Sequence, residues 1–245
     1  GDRIAIGAYG NVGNGTDAGQ VRVYALSSVS GSQLGCYIDG EAANDRSGQA
    51  VSMNSSGDRV VIGAYHNDGN GTKSGHVRIY QYSSGSWSQL GSDIDGEAEG
   101  DEFGLSVAMN DAGDRIAVGG HENDGSASRA GHARVYSYNG SAWVQLGADI
   151  DGEAASDNFG YAVSINDAGS RIAIGALYND GNGSDAGHVR IYDYSPDTDS
   201  WSQVQSDIDG EAAEDRSGYG VSLAASGDRV AIGANLNDGT ANHAG

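Results

Sequence analysis

The stretch GDRIAVGG, residues Gly113–Gly120, decides the fold because close copies of it recur along the 245-residue chain. The copies begin at Gly1, Gly57, Gly169 and Gly227, so that successive spacings are 56, 56, 56 and 58 residues. A fixed period of this length is typical of proteins that stack copies of one supersecondary unit. The chain is therefore expected to be a repeat protein.

Each repeat predicts four short strands joined by tight turns. In the central copy these strands are Gly104–Asn110, Asp114–Gly119, His132–Tyr138 and Trp143–Ile150. Alternating apolar residues, β-branched residues and glycine-containing turns support this reading. Four antiparallel strands in a unit of this size are typical of a β-propeller blade, and neighbouring blades must stack because one blade cannot bury both faces.

Two longer segments resemble a known family. FGLSVAMNDAGDRIAVGG (Phe103–Gly120) and FGYAVSINDAGSRIAIGA (Phe159–Ala176) are similar to the FG-GAP repeat of the integrin α-subunit β-propeller. Two copies have Ser-Gly in place of Phe-Gly, and no copy carries the proline of the motif. The resemblance covers essentially the whole chain and implies an all-β propeller of four-stranded antiparallel blades. Rings of that family have more blades than this chain supplies, so a slice of a longer repeat protein is expected.

The repeat frame divides the chain into units of one propeller. The last unit ends at His243–Gly245, where a third strand should begin. We expect one domain over residues 1–245, with a partial blade 1–47, blades 48–103, 104–159 and 160–217, and a partial blade 218–245.

The charge of the chain limits its partners. It has 34 acidic and 13 basic residues, so its net charge is −21. A field of that sign repels nucleic acid and anionic membrane surfaces, and no apolar run approaches the roughly 18 residues of a membrane span. We therefore predict neither nucleic-acid binding nor membrane insertion. Only Lys73 is a lysine among the basic residues, and arginine is the side chain suited to fixed ion pairs.

The acidic segment DIDGEAEGDEFG (Asp93–Gly104) recurs once per repeat and has two interpretations. Alternating carboxylates could converge on a hard cation such as Ca²⁺, or the same carboxylates could form a lattice with the repeated arginines. The two are not exclusive. The predicted metal ligands are Asp93, Asp95, Glu97, Asp101, Asp149, Asp151, Glu153, Asp157, Asp207, Asp209, Glu211 and Asp215.

The calcium loop that the family resemblance implies is not carried over to this chain. It would lie between strands one and two, where Asn110–Asp114 is too short to surround a cation with about six oxygens. Asn-x-Ser/Thr triplets predict glycosylation if the chain is secreted by a eukaryote. These triplets begin at Asn14, Asn54, Asn70, Asn139 and Asn182.

Histidine and tryptophan also recur once per repeat. His76, His132 and His188 are expected in separate blades as hydrogen-bonding residues at strand starts, not as one three-histidine metal site. The tryptophans could pack between blades or stack on sugars in equivalent pockets. They are Trp87, Trp143 and Trp201.

These features favour a non-catalytic protein. An active site is asymmetric, whereas the notable residues here recur in register, so an enzyme is excluded at this stage. We predict an extracellular or cell-surface structural module for adhesion, which calcium and glycans could stabilise, and which contacts other proteins or copies of itself. The alternative is a lectin-like propeller that binds carbohydrate at one equivalent site per blade.

Overall fold

The computed structural model describes residues 2–26 and 31–238, and every regular element in those ranges is a β-strand. The strands form antiparallel sheets that follow one another along the chain. Each sheet corresponds to one repeat of the sequence, although the fourth and fifth sheets begin one residue before the predicted boundaries, at Phe159 and Ser217. The single-domain frame stays a prediction, and residues 239–245 of its last unit lie outside the described residues.

Within each of the first two sheets, successive strands pair with each other, except that the last, two-residue strand pairs with the strand two places before it. The first sheet contains β1 (Arg3–Ala8), β2 (Gln20–Leu26), β3 (Gly31–Gln33) and β4 (Ile38–Asp39). The second contains β5 (Ala50–Met53), β6 (Arg59–Ala64), β7 (His76–Ser83), β8 (Ser86–Gln89) and β9 (Ile94–Asp95).

The remaining sheets repeat this arrangement. The third contains β10 (Ser106–Met109), β11 (Arg115–Gly120), β12 (His132–Tyr138), β13 (Trp143–Gln145) and β14 (Ile150–Asp151). The fourth contains β15 (Phe159–Ile165), β16 (Arg171–Ala176), β17 (His188–Ser195), β18 (Ser200–Gln203) and β19 (Ile208–Asp209). The fifth contains β20 (Ser217–Leu223) and β21 (Val230–Ala234).

The turn between the first two strands of a sheet is closed by an asparagine. The Oδ1 atom of Asn110 accepts hydrogen bonds from the backbone N–H groups of Asp114 (3.1 Å) and Arg115 (2.9 Å). Gly113 takes a φ of 70°, which a glycine adopts without strain. The side chain of Asn110 thus closes the turn, as expected for a tight hairpin and not for a calcium loop.

The predicted fourth strand, Trp143–Ile150, is divided in two. Gly147 has a φ of 74° and interrupts the strand after Gln145. The chain then returns to β12, where Ile150 pairs with Ala133. The short strand β14 therefore delivers the acidic segment to the start of β12, next to His132.

Neighbouring sheets are held by contacts that repeat with the sequence. The indole N–H of Trp143 donates to the carbonyl of Leu90 in the preceding sheet at 2.9 Å, and Arg59 donates to the carbonyl of Gly113 in the following sheet at 2.9 Å. Phe103 is fully buried in a core to which both sheets contribute. The tryptophans thus pack between sheets, one of their two predicted roles.

Glycines allow the sheets to approach closely at the inner strands. A Cβ atom added to Gly119 would lie 1.9 Å from the carbonyl oxygen of Gly160 in the next sheet. The same contact joins Gly63 to Gly104. These positions can hold no larger residue unless the sheets separate.

Candidate functional site

One kind of polar cluster occurs at three successive sheets. Each cluster joins a glutamate of an acidic segment to a histidine and an aspartate of the next sheet, and their ligand atoms lie within 4.8 Å of one another. This donor set could hold a metal ion. The clusters are Glu41–His76–Asp93, Glu97–His132–Asp149 and Glu153–His188–Asp207.

The histidine of each cluster is buried at the first position of a long strand. His132 has no exposed surface, and its Nδ1 atom lies 3.9 Å from Oδ2 of Asp149. The ring of Phe103 packs against it edge to face at 5.9 Å. Burial lowers the pKa of His132, so the imidazole is neutral near pH 7.

An arginine neutralises the carboxylates of the same cluster. Arg134 donates to Asp149 through Nε (2.8 Å) and Nη2 (2.6 Å), and it also pairs with Glu97. Burial is the largest single influence on Asp149 and opposes its ionisation, but the hydrogen bonds from Arg134 and Gln145 and the charge of Arg134 together lower the pKa of that carboxyl. Arg190 bridges Glu153 and Asp207 in the same way. The carboxylate–arginine lattice is therefore present, and it crosses from one sheet to the next.

The predicted metal ligands are divided between different environments. Asp93, Asp149 and Asp207 enter the clusters together with Glu97 and Glu153, but each glutamate meets the aspartate of the following repeat rather than that of its own segment. Asp101 is buried and accepts from the backbone N–H of Ala98. Asp157 and Asp215 are buried in equivalent turns, while Asp95, Asp151 and Asp209 end the short strands β9, β14 and β19. Glu211 is exposed. Their role as ligands stays a prediction.

The expectation that the repeated histidines make hydrogen bonds at strand starts is wrong for two of them. Both ring nitrogens of His132 and His188 are buried without a hydrogen-bond partner among the described residues. A buried polar atom without a partner is uncommon in a folded protein and calls for an explanation such as a bound ion.

At three of the predicted glycosylation sites, the asparagine side-chain amide donates hydrogen bonds to backbone carbonyls. The Nδ2 atom of Asn70 donates to the carbonyls of Gly96 (2.9 Å) and Glu97 (3.1 Å), and Asn14 and Asn182 make equivalent bonds. Asn54 is buried, whereas Asn139 lies exposed in a hairpin. Glycosylation stays a prediction.

A second group of polar residues does not repeat in register. The two residues before the repeated asparagine of the long loop are Tyr65-His66 in one repeat, His121-Glu122 in the next and Leu177-Tyr178 in the third. The residue before the Phe-Gly or Ser-Gly pair also changes from copy to copy. It is Arg46, Glu102, Asn158 and Arg216 in turn.

The structure brings five of these varying residues together, and we call them the variable group. They come from two successive repeats and meet at the ends of the inner strands. The variable group consists of His66, Glu102, His121, Glu122 and Asn158.

Glu102 lies at the centre of the variable group. One of its oxygens lies 3.4 Å from Nε2 of His66, and the other lies 3.7 Å from Nε2 of His121. The same nitrogen of His121 lies 3.6 Å from Glu122, and the amide of Asn158 donates to the carbonyl of His121 at 2.8 Å. These side chains are largely but not fully buried, so solvent reaches them. A carboxylate between two imidazoles is an arrangement that can transfer protons.

The environment of the variable group changes its proton affinities. Burial raises the pKa of Glu102, although Lys73 acts in the opposite direction. Burial lowers the pKa values of His66 and His121 to about 4. At neutral pH the group therefore contains a more basic carboxylate than usual beside two neutral imidazoles, the kind of perturbation that marks candidate functional sites.

The backbone of the central residue is also unusual. Glu102 has a φ of 50°, in the left-handed region that glycine and asparagine favour, and Arg46, Asn158 and Arg216 share this conformation. Such a conformation costs on the order of 1 kcal/mol at a non-glycine residue. The fold therefore imposes this geometry in each repeat, while the side chain presented there differs.

Sequence reasoning missed the variable group because it searched for residues that repeat. The signal was present in the same comparison of copies. His66, Glu102 and His121 stand at positions where the repeats disagree, next to positions where they agree, such as Asn67 and Asp101. Positions at which the copies of the repeat differ, rather than positions at which they agree, identify this site.

Comparison with known families confirms the repeat. Residues 39–80 and 149–192 match the family described as FG-GAP repeat, as the Phe-Gly segments indicated. No curated protein matches the chain at a significant level.

Solved structures establish the wider fold. A protein provisionally assigned as a 6-phosphogluconolactonase from Bacteroides uniformis superposes with a TM-score of 0.65 at 12% identity, covering 97% of this chain and 63% of that one. The periplasmic gluconolactonase PpgL of Pseudomonas aeruginosa gives a TM-score of 0.63 at 13% identity, covering 96% and 62%. The chain thus has a β-propeller-type, all-β fold and spans less than two thirds of the length of either protein.

These likenesses overturn the predicted function. A non-catalytic adhesion module, with a lectin as its alternative, was expected because the notable residues repeat in register. The similar structures are instead named as lactonases, so propellers of this fold carry catalysis and repetition does not exclude it. The exclusion of an enzyme was wrong for the same reason, and the variable group supplies the asymmetry that an active site needs.

Proposed function

We propose that this propeller is a hydrolase that opens a lactone or a similar ester of a sugar acid. The observation that carries the proposal is the position of Glu102, held between two neutral imidazoles at non-repeating positions. The names of the similar structures supply the substrate class by analogy, which fold likeness alone does not establish.

In the proposed reaction, Glu102 is the general base. Its carboxylate accepts a proton from a water molecule while the water oxygen bonds to the lactone carbonyl carbon. The bond between that carbon and the ring oxygen then breaks, and the ring oxygen receives a proton. One water is consumed, and a hydroxy acid is formed. A raised pKa strengthens Glu102 as a base, and a base of this kind contributes about 10²–10⁴-fold to a rate.

The second proton transfer uses the proton that Glu102 has taken from water, which a neutral imidazole beside it can accept and pass to the ring oxygen. His121 is neutral at pH 7, and its Nε2 atom lies within 4 Å of both Glu102 and Glu122. These separations exceed hydrogen-bond length, which is usual before substrate binds. Lys73 lies 3.6 Å from Glu102 and supplies a positive charge near the negative charge that develops on the carbonyl oxygen.

The proposal also covers where the protein is located and which cation its acidic segments bind. We infer an extracytoplasmic location, which the periplasmic name of one similar structure and the FG-GAP repeats support. Calcium was expected at the acidic segments, and their carboxylate oxygens suit it. Binding of other proteins, of further copies of the chain or of carbohydrate stays a prediction, as does the absence of nucleic-acid binding. Among the described residues, no helix has the length and apolar character to cross a membrane.

A direct test measures hydrolysis on a panel of compounds. Glucono-δ-lactone, its 6-phosphate and a simple alkyl ester would be incubated with the protein at pH 7, and the acid released would be followed by titration at constant pH. We expect acceleration over the uncatalysed rate for at least one lactone, and less of it in His121→Asn, which takes the residue that Asn235 supplies in the last repeat. Rates equal to those without protein for every compound would refute the proposal.

A further inference from the structure

The repeated clusters contain buried imidazoles that the proposed reaction does not use. His188 is 1% exposed, and its Nδ1 atom lies 3.9 Å from Glu153 and 3.8 Å from Asp207. Neither of its ring nitrogens has a hydrogen-bond partner among the described residues. A fully buried nitrogen that faces two carboxylates without bonding to them is in the position of a metal ligand.

The first repeat provides an internal comparison. Gln20 stands where the later repeats have histidine, at the start of β2. Its Nε2 atom donates to Asp39 at 2.7 Å, and its Oε1 atom accepts from Arg22 at 2.7 Å. The position can therefore satisfy a polar side chain from within the protein. His132 and His188 leave both ring nitrogens unpaired at the same place, and His76 leaves its Nε2 atom unpaired, which indicates a role other than hydrogen bonding.

We propose that each Glu–His–Asp cluster binds one divalent transition-metal ion of the zinc class. The histidine Nδ1 atom and one oxygen from each carboxylate would be the three protein ligands, and water would complete the coordination. The proposal concerns His76, His132 and His188 with their carboxylates, and it is independent of the reaction at Glu102.

The donor set favours zinc over calcium. Zinc binds imidazole nitrogen and carboxylate oxygen at about 2.0–2.2 Å and accepts three protein ligands with one open position. Calcium requires about six to eight oxygens, and imidazole is a poor ligand for it. Without a metal, the donor atoms of a cluster lie up to 4.8 Å from one another, which is farther apart than the ligands of one bound ion need to be. The carboxylate side chains can move closer to the histidine, because Glu153 and Asp207 are each partly exposed.

The arginine of each cluster would act as a competitor of the metal. Arg190 now bridges Glu153 and Asp207 and supplies one positive charge to two carboxylates. A divalent ion supplies two, so binding would displace the guanidinium from at least one oxygen. The bound ion would connect the acidic segment of one sheet to the first residue of a long strand in the next. Metal binding should therefore stabilise the packing of sheets as well as occupy the site.

The test compares the full chain with a triple variant, His76→Gln/His132→Gln/His188→Gln, which copies the arrangement at Gln20. Both proteins would be stripped with EDTA and titrated with Zn²⁺ by calorimetry, and with Co²⁺ by visible absorption. We expect the triple variant to bind three fewer ions per chain than the wild type, whatever binds elsewhere. We also expect Zn²⁺ to raise the unfolding midpoint of the wild type and not that of the variant.

A single variant keeps the test decisive if the triple variant does not fold. His132→Gln alone should bind one ion fewer and retain the far-ultraviolet spectrum of the wild type. A parallel titration with Ca²⁺ should give no signal that depends on the histidines. Equal Zn²⁺ and Co²⁺ stoichiometries in the wild type and the variants would overturn the proposal. A histidine-dependent response to Ca²⁺ alone would also overturn it.

Discussion

Acidification should destabilise the protein through His121, because its imidazole is neutral in the folded state. Its folded-state pKa is about 4 and its unfolded-state value is 6.5, so the unfolded chain binds more protons between these two pH values. Stability should therefore be complete above pH 6.5 and decrease as the pH falls towards 4. The difference of about 2.5 pKa units corresponds to about 3 kcal/mol once both states are protonated, and to about 2 kcal/mol at pH 5.

Several charged groups surround His121 and act on this balance. Burial is the main cause of the low pKa of His121; Glu122 favours the charged ring, and Arg129 disfavours it. Glu102 also faces the ring at 3.7 Å. The raised pKa of Glu102 acts with the opposite sign, since the folded state then retains protons that the unfolded state releases. A comparison with a variant is therefore needed to isolate the imidazole.

The assay is urea denaturation at pH 8 and pH 5, in EDTA, of the wild type and His121→Asn. The free energy of unfolding comes from linear extrapolation. The wild type should lose about 2 kcal/mol more than the variant between the two pH values. An equal loss in both proteins would show that His121 takes up its proton as readily in the folded state as in the unfolded chain, and would contradict its lowered pKa.

Two further changes test the packing between sheets, and a third tests the hydrogen bonds between two loops of one repeat. Gly119→Ala should lower the free energy of unfolding by about 1–3 kcal/mol or more, since the new methyl group meets the carbonyl of Gly160; Gly220→Ala, with open space around it and no positive φ, is the control for loss of glycine, and an equal effect would contradict the close approach. Trp143→Phe should cost at least about 1 kcal/mol, because the carbonyl of Leu90 loses its donor; no loss would show that solvent replaces the indole. Asn70→Asp should cost about 1–3 kcal/mol in denaturation at pH 8, since a carboxylate then faces two carbonyl oxygens, and unchanged stability would contradict those bonds.

The repeat allowed the sheets to be predicted from the sequence almost strand by strand. His132–Tyr138 was predicted at the bounds that the structure shows, because alternation and turn residues define that strand locally. The break in the fourth strand was not predicted. It depends on the left-handed conformation of Gly147, and a glycine in a sequence does not reveal which conformation it will take.

The candidate sites were less accessible to sequence reasoning because they form between repeats. Glu97 was grouped with its sequence neighbours, whereas it meets His132 and Asp149 across a sheet boundary. His66 and His121 are more than fifty positions apart and share only the carboxylate of Glu102. Contacts of this kind depend on how the sheets stack, which a single copy of the repeat does not specify.

The assignment of catalysis to Glu102 is tested by a kinetic comparison of Glu102→Gln with Glu99→Gln on the best lactone. Both variants remove one carboxylate from the same acidic segment, but Glu99 is exposed and lies outside the variable group. We predict that Glu102→Gln lowers kcat/KM by about 10²-fold or more, while Glu99→Gln leaves it within about twofold of the wild type. Equal kcat/KM values for the two variants would contradict the assignment of catalysis to the variable group.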